Sequence, residues 1–166
     1  MLGNETLWNV ALDCQRALQQ ANIPHSICGG VAVCLHGYQR NTTDIDIIIL
    51  DKDVPTIKDL LTPTGIPVQF LIAGERAGKD SEVKIAEPIG EENIETREGL
   101  SVVRLSRLIE MKLACGLGSM RRTHKDFADV VELIAIRRLD GSFARYLHPS
   151  VRTTFRELVR CAGSSD

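Results

Sequence analysis

The sequence predicts a single α/β (α+β) domain, a small mixed β-sheet flanked by helices, with further helices at its C-terminal end. Three observations predict it. An apolar run, Ile45 to Leu50, reads as a strand and is preceded by a glycine pair and a polar turn. A short helix and a second strand follow it, and strand–helix–strand order builds an α/β layer. Beyond Arg104 the apolar residues recur at helical spacing.

Composition agrees. At 166 residues the chain is one domain with a sizeable core. Its 43% hydrophobic and 25% charged residues are the balance of a soluble globular protein. A net charge of −2 gives no global basic field to draw in nucleic acid, although a local patch remains open. The apolar runs are too short to span a membrane. The opening MLGNETLW lacks the basic and apolar regions of a signal peptide. Five cysteines, an odd number without CxxC spacing, argue against a disulfide framework or structural zinc. Reduced thiols in a cytoplasmic setting fit them best.

The elements follow in order. Asn4 caps a helix from about Glu5 to Ala21, whose stripe is Leu7, Val10, Ala11, Cys14, Ala17, Leu18 and Ala21. Trp8 and Gln15 fall off that stripe. Pro24 ends the helix. His25 to Cys28 is a short strand, and Val31 to His36 a helix. After the strand Ile45–Leu50, Asp51-Lys52-Asp53 is a polar loop and Val54 to Leu61 a helix, broken by Thr62-Pro63-Thr64-Gly65. Ile66 to Ala73 is the next strand, neighbouring Ile45–Leu50 in the sheet. Gly74 to Glu92 is a long loop rich in glycine and charge, with Lys79 and Lys84 as phosphate candidates or plain solvated residues. Leu100 to Val103 is a strand. Arg104 to Cys115 is a helix, and another carries Phe127, Val130, Val131 and Ile134 inward. A last helix, about Ser150 to Cys161, is followed by a frayed tail. Five arginines between Arg137 and Arg156 read as a solvated helix surface or as a basic face for RNA. The fold's core is thus expected over about 22–104 and its helical part over about 105–161.

Candidate chemistry sits between Gly29 and Asp46. Residues two apart on a strand share a face, so Asp44 and Asp46 project together while Ile45 enters the core. Two adjacent carboxylates repel. Mg²⁺ removes that repulsion and prefers a couple of carboxylates plus phosphate oxygens and water. Gly29-Gly30 allows positive φ and a close backbone approach, as a strand-to-helix turn or a phosphate seat requires. The carboxylate pair that follows favours the phosphate seat. Arg40 reads as a phosphate contact or as a pin for the turn. Thr42 and Thr43 read as turn-makers. Asp126 and Asp129 share a helix face, and Lys125 is spaced to pair with Asp129. There is no Gly-x-x-x-x-Gly-Lys-Ser/Thr loop and no Gly-x-Ser-x-Gly elbow, which argues against a P-loop NTPase and an α/β-hydrolase.

Gly29-Gly30, a spacer and Asp44-Ile45-Asp46 on a strand resemble the signature of the nucleotidyltransferase fold superfamily, the DNA polymerase beta-like enzymes. Arg40-Asn41-Thr42-Thr43 before Asp44 is similar to the small bacterial AbiEii-like group. So are the later segments RLIEMKLACGL and RTHKDFADVVELI, with Lys112, Lys125, Asp126 and Asp129 at the matching positions. The resemblance spans about Ile27 to Ile134. It implies an Mg²⁺- (or Mn²⁺-) dependent enzyme in which Asp44 and Asp46 are catalytic and hold the metal. Gly29, Gly30, Arg40, Thr42, Lys112 and Lys125 are then the nucleotide-binding residues. An NTP donates its NMP to a hydroxyl of RNA, tRNA or protein. The AbiEii-like group also implies a toxin–antitoxin context with an antitoxin partner, and no membrane partner.

One position departs from the superfamily pattern. The third carboxylate, expected on the strand after the Asp pair, is Gln69, a neutral and poor Mg²⁺ ligand. Glu75 lies just beyond that strand. An alternative follows: a nucleotide- or protein-binding module of the same fold with impaired catalysis.

Overall fold

The structure, a computed structural model, describes residues 5–61 and 63–163. The expected cap at Asn4, the break at Thr62 and the last three residues of the expected tail lie outside the described residues. Two compact units form. The first takes in the chain up to Leu35, Gln39–Gly74 and Ala86–Arg104; the second takes in His36–Tyr38, Glu75–Ile85 and everything from Leu105.

The first unit holds a five-stranded mixed sheet in the order β3-β2-β1-β5-β4. Helix α1, Glu5–Gln20, buries Leu7, Val10, Ala11, Cys14 and Leu18 as expected, but also Gln15. It ends on Asn22 at φ 55, and the Ile23 amide reaches back to the Leu18 carbonyl at 2.9 Å. That is a left-handed C-terminal stop with asparagine in the place usually taken by glycine. Strand β1, His25–Cys28, is buried at every position because it is the middle strand. It runs directly into α2, Gly29–Leu35, so the glycine pair is the helix's own first turn, not a turn ahead of it. Strand β2, Ile45–Ile49, pairs antiparallel with β1.

After β2, Asp51–Asp53 forms a 3-10 turn, and α3 is a single turn, Val54–Ile57, shorter than the expected helix. Only Ile57 of it is buried, so packing holds one turn and no more. Strand β3, Val68–Ile72, pairs parallel with β2, which makes them the expected neighbours. Strand β4, Ile94–Arg97, was absent from the sequence reading. It forms a hairpin with β5, Leu100–Val103, through Glu98 at φ 49 and Gly99 at φ 82. Two successive positive φ values are the mark of a two-residue hairpin turn whose twist matches the strands.

In the second unit α4, Leu105–Gly118, and α5, Met120–Arg137, are joined by Ser119 alone. Close approach depends on Gly116, where a Cβ would stand 2.5 Å from a ring carbon of Phe127. On α5, Val130 and Ile134 are buried as expected, whereas Phe127 and Val131 are half-buried. Residues 75–85 of the expected loop form a small hairpin, with Arg76 bridging Lys84 and the Val83 and Ile85 side chains buried. The chain then makes 3-10 turns at Gly141–Tyr146 and Pro149–Val151 before α6, Arg152–Gly163, which buries Phe155. Among the described residues no helix is long and apolar enough to cross a membrane.

Candidate functional site

The β1–α2 junction and the start of β2 lie side by side because β1 and β2 are antiparallel. Cys28 of β1 stands opposite Asp46 of β2. Ile45 is fully buried, and Asp44 and Asp46 on either side of it stay half-exposed. Asp44 stands just ahead of the strand, and beyond Asp46 the strand is buried on both faces at Ile47, Ile48 and Ile49.

Gly29 has φ +63, and a Cβ there would lie 2.0 Å from Oδ2 of Asp46. The Asp46 carboxylate thus occupies the space that any other residue at position 29 would fill. Gly30 has its own neighbour: a Cβ would meet Oγ1 of Thr42 at 2.4 Å and Nη2 of Arg40 at 3.3 Å. The turn 39–44 folds back over the first turn of α2, held by Gln39 Nε2 donating to the Cys34 carbonyl at 3.1 Å. The Cys34 thiol donates to the Arg40 carbonyl at 3.4 Å, and Arg40 Nη1 to the Asn41 carbonyl at 3.0 Å. Thr42 is buried, a turn-maker packed on glycine. Gly29, Gly30, Arg40, Thr42 and Asp46 therefore form one cluster, with Asp44 two residues before Asp46.

The donor set suits a hard divalent cation. The Asp46 carboxylate against Gly29, with Asp44 two residues before it, offers the oxygen ligands that Mg²⁺ prefers. Gln69 is exposed and stands in register with Asp46 on the parallel strand. A neutral amide thus occupies the position facing the second aspartate. Glu75 is exposed and belongs to the other unit. Among the described residues no group of three or more His, Cys, Asp or Glu side chains gathers as metal ligands. On the opposite face of the sheet, Val68 and Phe70 line a mainly apolar groove of about 540 Å³ with Val10, Cys14, Ile57 and Leu61, and Asp13 and Lys58 also line it.

The second unit holds the other residues singled out from the sequence. Lys112 Nζ lies 2.8 Å from Asp129 Oδ2 and 3.3 Å from Asp126 Oδ1. Arg122 Nε donates to the other oxygen of Asp126 at 3.1 Å. Lys112, Asp126 and Asp129 are all buried, so the two acids are an internal ion cluster and not surface charges near a helix end. Asp129 takes Lys112 as partner in place of the i, i+4 pairing with Lys125, which is exposed on α5. Burial and the Asp126 carboxylate push the nearby Cys115 thiol up, against the pull of Arg122 and Lys112. Cys115 donates to the Ala77 carbonyl at 2.7 Å and ties the 75–85 hairpin to α4.

One residue passed over in the sequence proves central to the first unit. Gln15 Oε1 accepts the Ser101 amide at 3.2 Å and stands 2.6 Å from His25 Nε2, linking α1, β1 and β5. Its only sequence signal is a polar side chain next to the buried stripe.

No family model matches this chain, and no curated protein matches it. Among solved structures, a Helicobacter pylori protein described as a nucleotidyltransferase aligns over 96% of this chain and 81% of its own, at 17% identity and TM-score 0.50. JHP933 from Helicobacter pylori covers 98% and 92% at 16% identity and TM-score 0.49. The antibiotic-resistance factor ANT(2'')-Ia covers 96% and 92% at 11% identity and TM-score 0.49. The likeness to the first of these is one of fold: the chain has the mixed sheet and flanking helices of a nucleotidyltransferase fold.

Proposed function

With the nucleotidyltransferase fold as premise, we propose that this protein transfers a nucleoside monophosphate from an NTP to a hydroxyl acceptor, dependent on Mg²⁺ or Mn²⁺. The observation that carries the reading is the packing of Asp46 on the bare Cα of Gly29. That packing sets a negative charge beside a glycine turn open to phosphate, and the two repel. A divalent cation, which Asp44 and Asp46 would hold, would reconcile the two.

Asp44 and Asp46 are the residues that hold the metal. When bound, it neutralises charge on the phosphate oxygens. The Gly29-Gly30 backbone, lacking side chains, lets the β- and γ-phosphates approach its amides. Arg40, whose Nη2 sits against Gly30, adds positive charge at the same place. Thr42 fixes the turn that carries Asp44. The acceptor oxygen bonds to the α-phosphorus, the bond to the β-phosphate bridge breaks, and pyrophosphate leaves with the electron pair. Gln69 cannot take the acceptor's proton, so the proton passes to water and turnover is slow. Lys112 acts by ordering its own unit, since two buried carboxylates hold its ammonium. Resemblance to the AbiEii-like group supports an RNA (tRNA included) or protein acceptor and an antitoxin partner.

A second reading, nucleotide binding with impaired turnover, is favoured by Gln69 standing in register with Asp46. A thermal-shift screen of the four NTPs with Mg²⁺, Mn²⁺ or EDTA tests both, because a ligand that binds only the folded state raises the melting temperature. A metal-dependent rise that disappears in Asp44→Asn supports the site. A rise in wild type without transfer of α-labelled NMP to cellular RNA or protein selects the second reading. No rise at millimolar NTP refutes both.

A further inference from the structure

The chain's charge is unevenly spread. Arg137–Gly163 carries six arginines and no lysine against two acids, Asp140 and Glu157, whereas the whole chain is −2. On α6, Arg152, Arg156 and Arg160 recur every fourth residue and so form one ridge. That ridge borders the Gly141–Tyr146 turn: a Cβ on Gly141 would stand 3.8 Å from Cγ of Arg156. Phe143 ties the two together, its ring 5.7 Å from that of Phe155 in α6 and 5.5 Å from that of Tyr146.

Tyr146 is 53% exposed although its ring meets that of Phe143. The Arg145 guanidinium lies over its ring at 4.8 Å, and Arg145 Nη2 donates to the Tyr146 hydroxyl at 2.8 Å. The result is a cation–aromatic pair on the surface, next to the arginine-bearing helix α6, whose Arg152 Nε donates to the adjoining Leu147 carbonyl at 2.9 Å. Asp140 gives its Oδ1 to the amide and hydroxyl of Ser142 and also feels the Arg145 charge, so it offsets one of the six arginines and leaves the segment basic.

We propose that this face, the Arg145–Tyr146 stack with the α6 arginine ridge, binds single-stranded RNA. Guanidinium groups suit phosphate through paired N–H donors. Aromatic and guanidinium planes stack on splayed bases, which RNA loops and single-stranded segments present and duplexes do not. An anionic membrane surface is the poorer match. The exposed positions of α6 are Thr153, Arg156, Glu157, Arg160, Cys161 and Gly163, with Leu158 and Val159 half-buried, which give no exposed apolar stripe to enter lipid. The proposal does not rest on nucleotidyl transfer, and its test needs neither NTP nor metal.

Fluorescence anisotropy with a labelled unstructured RNA of roughly a dozen nucleotides tests it on the full chain. Wild type binds, and Tyr146→Ala weakens binding about tenfold, the loss expected of one stacked base. Tyr146→Phe keeps the ring and most of the affinity. Arg156→Gln weakens binding and lowers the slope of log K against log salt by about 0.7, one phosphate contact on a single strand. Lys52→Gln, an exposed cation of the other unit, leaves binding unchanged. The proposal is overturned if folded wild type does not bind the RNA, or if Tyr146→Ala and Arg156→Gln bind as wild type does. Equal binding of duplex DNA that ignores Tyr146 overturns it, as does binding of phosphatidylserine vesicles in place of RNA.

Discussion

The Asp46 carboxylate rests where a side chain on Gly29 would be, with Oδ2 2.0 Å from the position of a Cβ. Glycine at position 29 thus does two things at once. It accepts φ +63, and it leaves room for the carboxylate.

Gly29→Ala is expected to lose NTP·Mg²⁺ binding and to destabilise the fold. The left-handed conformation alone costs a residue with a Cβ about 1–2 kcal/mol, before Asp46 is displaced. Gly30→Ala separates the two effects, since position 30 lacks positive φ and meets only Thr42 and Arg40. Adding Thr42→Ala should recover part of the Gly30→Ala loss, whereas nothing at position 46 rescues Gly29→Ala fully. Melting curves with and without NTP read both, and an unperturbed Gly29→Ala refutes the packing.

Gln69→Glu places a third carboxylate opposite Asp46. Transfer of label from α-labelled NTP is expected to rise by about a hundredfold or more, the lower end of what a positioned general base supplies. Stability should hardly change, because Gln69 is exposed. No gain in transfer, with nucleotide binding intact, turns the choice to the binding-module reading.

Lys112→Ala removes the buried cation that two buried carboxylates share. Removing one partner of a buried ion cluster costs about 3–5 kcal/mol. For a chain of this size the melting temperature should fall by about 10 °C. Neutralising the acids as well, in Lys112→Met with Asp126→Asn and Asp129→Asn, should restore much of it. A mild Lys112→Ala phenotype would mean that the cluster is wetter than its burial indicates.

His25 makes stability depend on pH. Burial lowers its pKa below 6.5, and the Ile23 carbonyl pulls the other way without cancelling it. The unfolded chain therefore binds a proton that the folded chain resists. This contribution is complete above about pH 6.5 and is lost as pH falls through the lower folded value. The melting temperature of wild type should drop between pH 7.5 and 5 more steeply than that of His25→Gln. Parallel curves would assign the pH dependence elsewhere.

The pattern of single residues explains what could be read ahead of the structure. Strand β1, the glycine pair and the Ile-rich β2 are local: alternation, φ freedom and adjacent carboxylates are visible in consecutive letters. Strand β4 escaped notice because Ile94-Glu95-Thr96-Arg97 is a half-exposed edge strand without an apolar face. The Glu98-Gly99 turn was its one local signal. Helix α3 stops early because no apolar stripe continues past Ile57 to hold it.

By itself, then, the sequence determined the sheet's central strands, their order in the chain and the Gly29 to Asp46 constellation, because each depends on neighbours in sequence. Only the tertiary structure decided which polar groups are buried. Gln15 reaches Ser101 across 86 residues, and Lys112 meets Asp126 and Asp129 from another helix. A polar side chain enters a core only where distant partners satisfy it, and no local spacing announces those partners.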